Sequence, residues 1–172
     1  GKGIEIGQFF PALFGRLQIR PNYRNHRKIV VVDGRAAYVG GFNIGREYVG
    51  RDERLGDWRD THLKIQGSAV LPLHLRFIQD WDYAMRENLL GDERLFLPRP
   101  EFYRGSTLVQ IVSSGPDSKW QNIRSNYLRL IQLAQDHIYV QTPYFIPDET
   151  LLEALRTAAL SGVRVCVMVP GI

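Results

Sequence analysis

The stretch His26-Arg27-Lys28-Ile29-Val30-Val31-Val32-Asp33, six further residues, then Gly40-Gly41-Phe42-Asn43 carries the side chains of this chain best suited to chemistry. On an extended strand, side chains two positions apart share a face. His26 and Lys28 therefore project together, with Val30 and Val32 beneath them on the same side. An imidazole beside a fixed ammonium suits attack on phosphorus: the ring is the nucleophile, and the ammonium meets the charge building on the non-bridging oxygens. Asp33 has the opposite parity and opens Asp33-Gly34, a strong hairpin signal. On parity it fixes the turn or pairs with nearby cations. Gly40-Gly41 allows close backbone approach, and Asn43 can set its amide against a phosphate oxygen.

Charge supports that reading. Between Glu5 and Asp33 no acidic residue occurs, while Arg16, Arg20, Arg24, Arg27 and Lys28 all fall there. A charge run alone is ordinarily a solvated face. Beside a His/Lys pair it becomes a positive approach that captures phosphates. The total is less informative, since 22 Lys and Arg against 18 Asp and Glu leave a net charge of +4. The 172 residues, 44% apolar and 23% charged, exclude a disordered chain. Apolar runs such as Val165 to Val169 fall far short of the ~20 residues that span a bilayer, and the glycine-led start has no signal-peptide pattern. The single cysteine, Cys166, excludes an internal disulfide or a Cys-based zinc site and reads as a small core residue. No His-Glu-x-x-His pattern points to a metal, and no cofactor is expected. Gly40 to Gly45 followed by Arg46 lacks the Lys-Ser/Thr pair of a P-loop.

The elements that must position these groups follow from periodicity. Strands are expected over 3–10, ending at Pro11, over 26–32 and 36–39 as a hairpin, and over 60–66, 108–112, 137–141 and 163–169. Residues 12–25 and 50–59 read as loops, and 43–48 as a short helix. A helix capped by Ser68 should present Val70, His74, Phe77, Ile78, Trp81, Ala84 and Met85 to a core. A second, over 120–134, should bury Trp120, Ile123, Tyr127, Leu130, Ile131 and Ala134. A third begins at Asp148 and stops at Ser161-Gly162. His74 reads as a core histidine, His62 as an ordinary strand position on the same face as Asp60, and His137 as a strand edge. Strands alternating with helices predict an α/β sandwich with parallel pairs. Gly3-Ile4-x-Ile6 with Phe10-Pro11 echoes Gly162-Val163-x-Val165 with Val169-Pro170, a weak sign of duplication.

His-x-Lys, four residues, Asp, six residues and Gly-Gly-x-Asn is the pattern of the phospholipase D superfamily, which this chain resembles. Phe10-Pro11, the basic run through Asn25, Gly56 to His62, and Gln141-Thr142-Pro143-Tyr144-Phe145-Ile146-Pro147-Asp148-Glu149 make it similar to the bacterial cardiolipin synthases within that superfamily. The resemblance implies a phospholipase D-like mixed-sheet α/β sandwich. Residues 1–90 would form the later part of a first such domain, 91–106 a linker, and 107–172 the start of a second, cut short at Ile172. It implies a metal-free, phosphohistidine-forming transferase that makes cardiolipin and glycerol from two phosphatidylglycerols, at a bacterial inner membrane. The alternative is a hydrolytic phosphodiesterase or nuclease of the same superfamily. For the nuclease the chain offers no basic platform interleaved with aromatics, so nucleic acid is not expected. By the resemblance His26, Lys28 and Asp33 are the catalytic positions of the motif. Gly41, Asn43, Asp60 and Tyr144 line the substrate, Asp60 as the acidic residue that orients a histidine. Such enzymes join two motifs into one site, and only one is present here. The second is expected beyond Ile172, and the chain alone is expected to be nearly inactive.

Overall fold

The computed structural model describes residues 3–9, 25–51, 53, 56, 58–96, 105–115 and 118–171. Phe10-Pro11, the arginines at 16, 20 and 24, Asp57 and much of the expected linker lie outside the described residues. The chain divides into two compact units, Gly1–Ile111 and Val112–Ile172.

In the first unit β1 (Ile29–Val32), β2 (Ala36–Gly40) and β3 (His62–Gln66) form an antiparallel sheet in that order. The register pairs Ile29 with Val39, Val32 with Ala36, and Gly40 with His62. The β1–β2 turn depends on its two central residues. Asp33 and Gly34 take φ of 54° and 62°, the positive values that favoured hairpin turns require, and the Arg35 N–H donates to the Val32 carbonyl at 2.9 Å. One face of the sheet is apolar. Ile29, Val31, Ala37, Val39 and Ile65 pack there against Val70 and Leu73 of α1 (Val70–Met85), joined by Ile111.

Several expectations are corrected here. Helix α1 starts as predicted, but Ala69 holds the cap position with no side-chain bond. Leu73 carries the packing, while Phe77 stays half exposed. Residues 4–8 form no strand, and Ile4 and Ile6 are exposed. Leu108, 98% exposed, is likewise outside any strand. A strand-like pattern needs a partner to complete its hydrogen bonds. Helical structure after Asn43 is confined to a 3₁₀ turn, Glu47–Val49.

The second unit is built on a β-α-β crossover. Strands β4 (His137–Gln141) and β5 (Arg164–Met168) pair in parallel, and α3 (Glu149–Leu160) makes the connection that parallel pairing demands. Asp148 caps α3 as expected, accepting the Leu151 N–H at 2.8 Å, and also pairs with Arg124 of α2 (Asn122–Leu133) at 2.5 Å. That guanidinium, chiefly by its hydrogen bond, holds the Asp148 carboxyl below its ordinary pKa. Ile131, Leu155, Ala158 and Val163 form the core. The α2 stripe is corrected: Ile131 is buried, whereas Trp120, Tyr127 and Leu130 are exposed. Cys166 is exposed rather than buried, because it pairs with Tyr139 on the face turned from that core. Among the described residues, no helix is long and apolar enough to cross a membrane.

The hairpin makes a direct prediction. Gly34→Ala places a Cβ at positive φ, which costs about 1–2 kcal/mol for a side-chain-bearing residue. Urea unfolding should show that loss, and an unchanged midpoint would refute the turn geometry.

Candidate active site

Antiparallel pairing brings the start of β1, the end of β2 and the start of β3 to one end of the first unit's sheet. His26 and Lys28 lead into β1 there, Gly40-Gly41 ends β2, and Asp60 precedes His62 at the opening of β3. The sequence-predicted positions thus adjoin strand ends at one end of the sheet, with one exception in this unit. Asp33 occupies the turn at the other end of β1, five strand steps or ~17 Å from Lys28, and is exposed.

His26 to Lys28 lie before the first ladder pair, so the expected strand over 26–32 is shortened to Ile29–Val32. Val30 and Val32 are partly exposed on the face opposite α1, as the alternation predicts. The Lys28 ammonium turns back to donate to the His26 carbonyl at 2.8 Å. On the other side of the chain, Asp80 of α1 accepts from Asn25 Nδ2 at 3.0 Å and from Arg27 Nη1 at 3.0 and 3.3 Å.

The glycine pair is explained by crowding. A Cβ on Gly40 would strike the Thr61 carbonyl and come within 2.8 Å of His62 Nδ1. One on Gly41 would enter the Asp60 carboxylate. That carboxylate accepts the Thr61 N–H at 2.7 Å, and Gly41 N–H donates to the Thr61 carbonyl at 3.1 Å. Bare backbone at Gly40-Gly41 is what lets β3 bring Asp60 and His62 so close. Asn43 follows, partly buried, in the bend after Gly41.

His62, read from sequence as an ordinary strand position, is part of this crowded end. Its Nδ1 is the buried side-chain atom lacking a hydrogen-bond partner among the described residues. Its ring meets Phe42 edge-on at 6.3 Å, and Phe42, Tyr48 and Trp58 continue as an aromatic row with ring separations of 6.2 and 5.0 Å. Tyr48, Trp58 and Asp80 were missed by sequence reasoning. Nothing in local spacing marks Asp80, whereas the aromatic spacing around Gly56 could have hinted at the row.

The remaining candidates lie elsewhere. Tyr144 belongs to the second unit, where it is exposed and bonded to Thr142 on the turn after β4. His137 opens β4 and contacts Asp136 at 2.7 Å. His74 lies beside the β1–β2 turn, its ring 5.8 Å from Phe96, and burial lowers its pKa. Among the described residues, no group of three or more His, Cys, Asp or Glu side chains is gathered as metal ligands would be.

The sheet end therefore combines an imidazole, an ammonium, a main chain stripped of Cβ atoms and a carboxylate. Such a set can hold a phosphate and present a ring nitrogen to it.

The chain is similar to known proteins along its length. A family model described as "Cardiolipin synthase, PLD-like domain" matches residues 127–172. The chain is 50% identical to a cardiolipin synthase of Listeria innocua over 166 residues, 96% of this chain and 34% of that protein. It is also 50% identical, over 171 residues, to cardiolipin synthase 2 of Staphylococcus epidermidis and to cardiolipin synthase of Staphylococcus aureus, in each case over 98% of this chain and 34% of the relative. The chain thus spans about a third of the length of the curated relatives it matches.

The two glycines should fail differently. Gly40→Ala meets backbone that cannot move aside and should destabilise the protein by roughly 1–3 kcal/mol. The nearest atoms to a Cβ in Gly41→Ala are those of the Asp60 side chain, which can swing aside, so its thermal midpoint should stay near wild type. Equal melting losses for both would contradict the contact geometry.

Proposed function

On the premise that this chain belongs to the cardiolipin synthases of the phospholipase D superfamily, we propose that its first unit supplies the nucleophilic half of a phosphatidyl-transfer site. The observation that supports the reading is the strand register, which puts the start of β1, the Gly40-Gly41 end of β2 and the start of β3 after Asp60 at one end of a three-stranded sheet. The imidazole of His26 attacks the phosphorus of one phosphatidylglycerol. A phosphorus–nitrogen bond forms as the bond to the glycerol oxygen breaks, and the departing oxygen takes a proton. The hydroxyl of a second phosphatidylglycerol then attacks the phosphohistidine, giving cardiolipin and restoring the ring. Lys28 and Asn43 steady the phosphate oxygens, and Asp60 orients a histidine of the site. Asp33 belongs to the motif but acts through the turn, because β1 separates it from the ring.

The intact protein supplies a second motif, whose histidine protonates the leaving alcohol. Residues 1–90 are then the end of one phospholipase D-like domain and 107–172 the opening of the next, where Tyr144 borders the substrate. The enzyme works on phospholipid at the inner-membrane surface.

His26→Ala in the intact protein should abolish turnover. Wild type fed phosphatidylglycerol should release glycerol and a four-chain lipid. Phosphatidic acid in their place would identify a hydrolase instead. A mutant retaining wild-type turnover would remove His26 from the chemistry.

The 172-residue chain alone lacks the partner acid, which is typically worth ~10²–10⁴-fold in rate. Its turnover as a monomer should fall below that of the intact protein by at least that factor. Full turnover would contradict the two-motif reading.

A further inference from the structure

The groups that hold His26 in place come from outside its strand. Among the described residues, ladder pairing of this strand begins at Ile29, after His26. Side chains on both sides of His26 nevertheless converge on one carboxylate. Asn25 donates to Asp80 Oδ2 at 3.0 Å, and Arg27 donates to both Asp80 oxygens at 3.0 and 3.3 Å. The Arg27 N–H also donates to Asn25 Oδ1 at 3.0 Å, which braces the chain locally. Asp80 lies on α1 ten residues beyond Val70, so at 100° per residue it continues the helix face of Val70 and Leu73. Asn25 and Arg27 are therefore drawn to the side on which Ile29 and Val31 pack against α1.

We propose that Asp80 is a positioning residue for His26. Asn25 Oδ1 accepting the Arg27 N–H closes an Asx-turn about His26, and tying both flanking side chains to one carboxylate limits how that turn can rotate. The Asp80 clasp performs, for the three residues before β1, the task that ladder hydrogen bonds perform within it. It holds the backbone at His26, and with it the direction in which the exposed ring leaves the chain. The pair is partly solvated, with side-chain exposures of 26% for Arg27 and 17% for Asp80, and such pairs contribute little to global stability. Displacing a reacting group by an ångström, in contrast, can cost on the order of a hundredfold in rate. Loss of the clasp should therefore separate rate from stability.

This proposal rests on His26 as the nucleophile, so the test includes both. In the intact protein, kcat, KM and thermal midpoint are measured for His26→Ala, Asp80→Asn, Asp80→Ala, Arg27→Asp and the exchange Arg27→Asp with Asp80→Arg. Samples quenched in detergent at neutral to mildly alkaline pH, where a phosphorus–nitrogen bond survives, report the fraction of protein carrying a covalent phosphatidyl group. Asp80→Ala should lower kcat by about 10- to 100-fold with KM and midpoint nearly unchanged, and the covalent fraction should fall in parallel. Asp80→Asn, which keeps an acceptor for Asn25 but loses the ion pair, should fall between. The exchange should recover at least about tenfold over Arg27→Asp alone. Wild-type kcat in Asp80→Ala, with His26→Ala inactive, overturns the positioning role and leaves the nucleophile standing. Wild-type kcat in His26→Ala overturns the site itself. If Asp80→Ala fails to fold, Asp80→Asn decides by the same readouts, and a kcat loss matched there by loss of folded protein overturns the proposal.

Discussion

An extended polypeptide turns successive side chains to opposite sides, and the first unit is arranged around that alternation. Along Asn25 to Val32 the odd positions face α1, where Asp80 takes the two polar side chains and Val70 and Leu73 take the apolar ones. The even positions of β1, Val30 and Val32, are left to the other face. A single-residue slip would exchange the two sets, exposing Ile29 and Val31 and turning Val30 and Val32 to the helix. The apolar packing and the acidic clasp oppose that slip together, so one register serves both the core and the chemistry.

The far side of the same sheet end is shaped by the lack of side chains. Gly40 and Gly41 sit where β3 comes closest, and the space they leave is filled by the Thr61 carbonyl, the Asp60 carboxylate and the His62 ring. An extra methyl at either glycine would meet one of these. The segment from Gly40 to His62 therefore works as a clamp, with bare backbone on one jaw and polar groups on the other. The Phe42–Tyr48–Trp58 row flanks it.

How much of this was legible in the sequence depends on whether the cause was local. The turn at Asp33-Gly34, the cap at Asp148 and the stop at Gly162, whose φ is 94°, are set by the residues that occupy them. All were readable. The alternation of Ile29 and Val31 with Val30 and Val32 was readable for the same reason. The expected strands near residues 4 and 108 depended on partners that periodicity cannot supply. The α2 stripe had the right period, yet Ile131 is buried while Trp120 and Leu130 are exposed, since burial is decided by the element packed against it. Within the site, Asp80 and the closeness of His62 to Gly40 arise from contacts between distant segments. The spacing of the motif holds no trace of them.

The two sheets also differ in how far the chain must travel before its strands meet. In the hairpin that carries the motif, partners are separated only by the turn, whereas β4 and β5 can join only once all of α3 has been laid between them. Closing a longer loop forfeits more chain entropy before any contact compensates. The scaffold beneath His26 is accordingly the cheaper of the two to assemble. Its nucleation needs little more than a tight bend and a few β-branched neighbours.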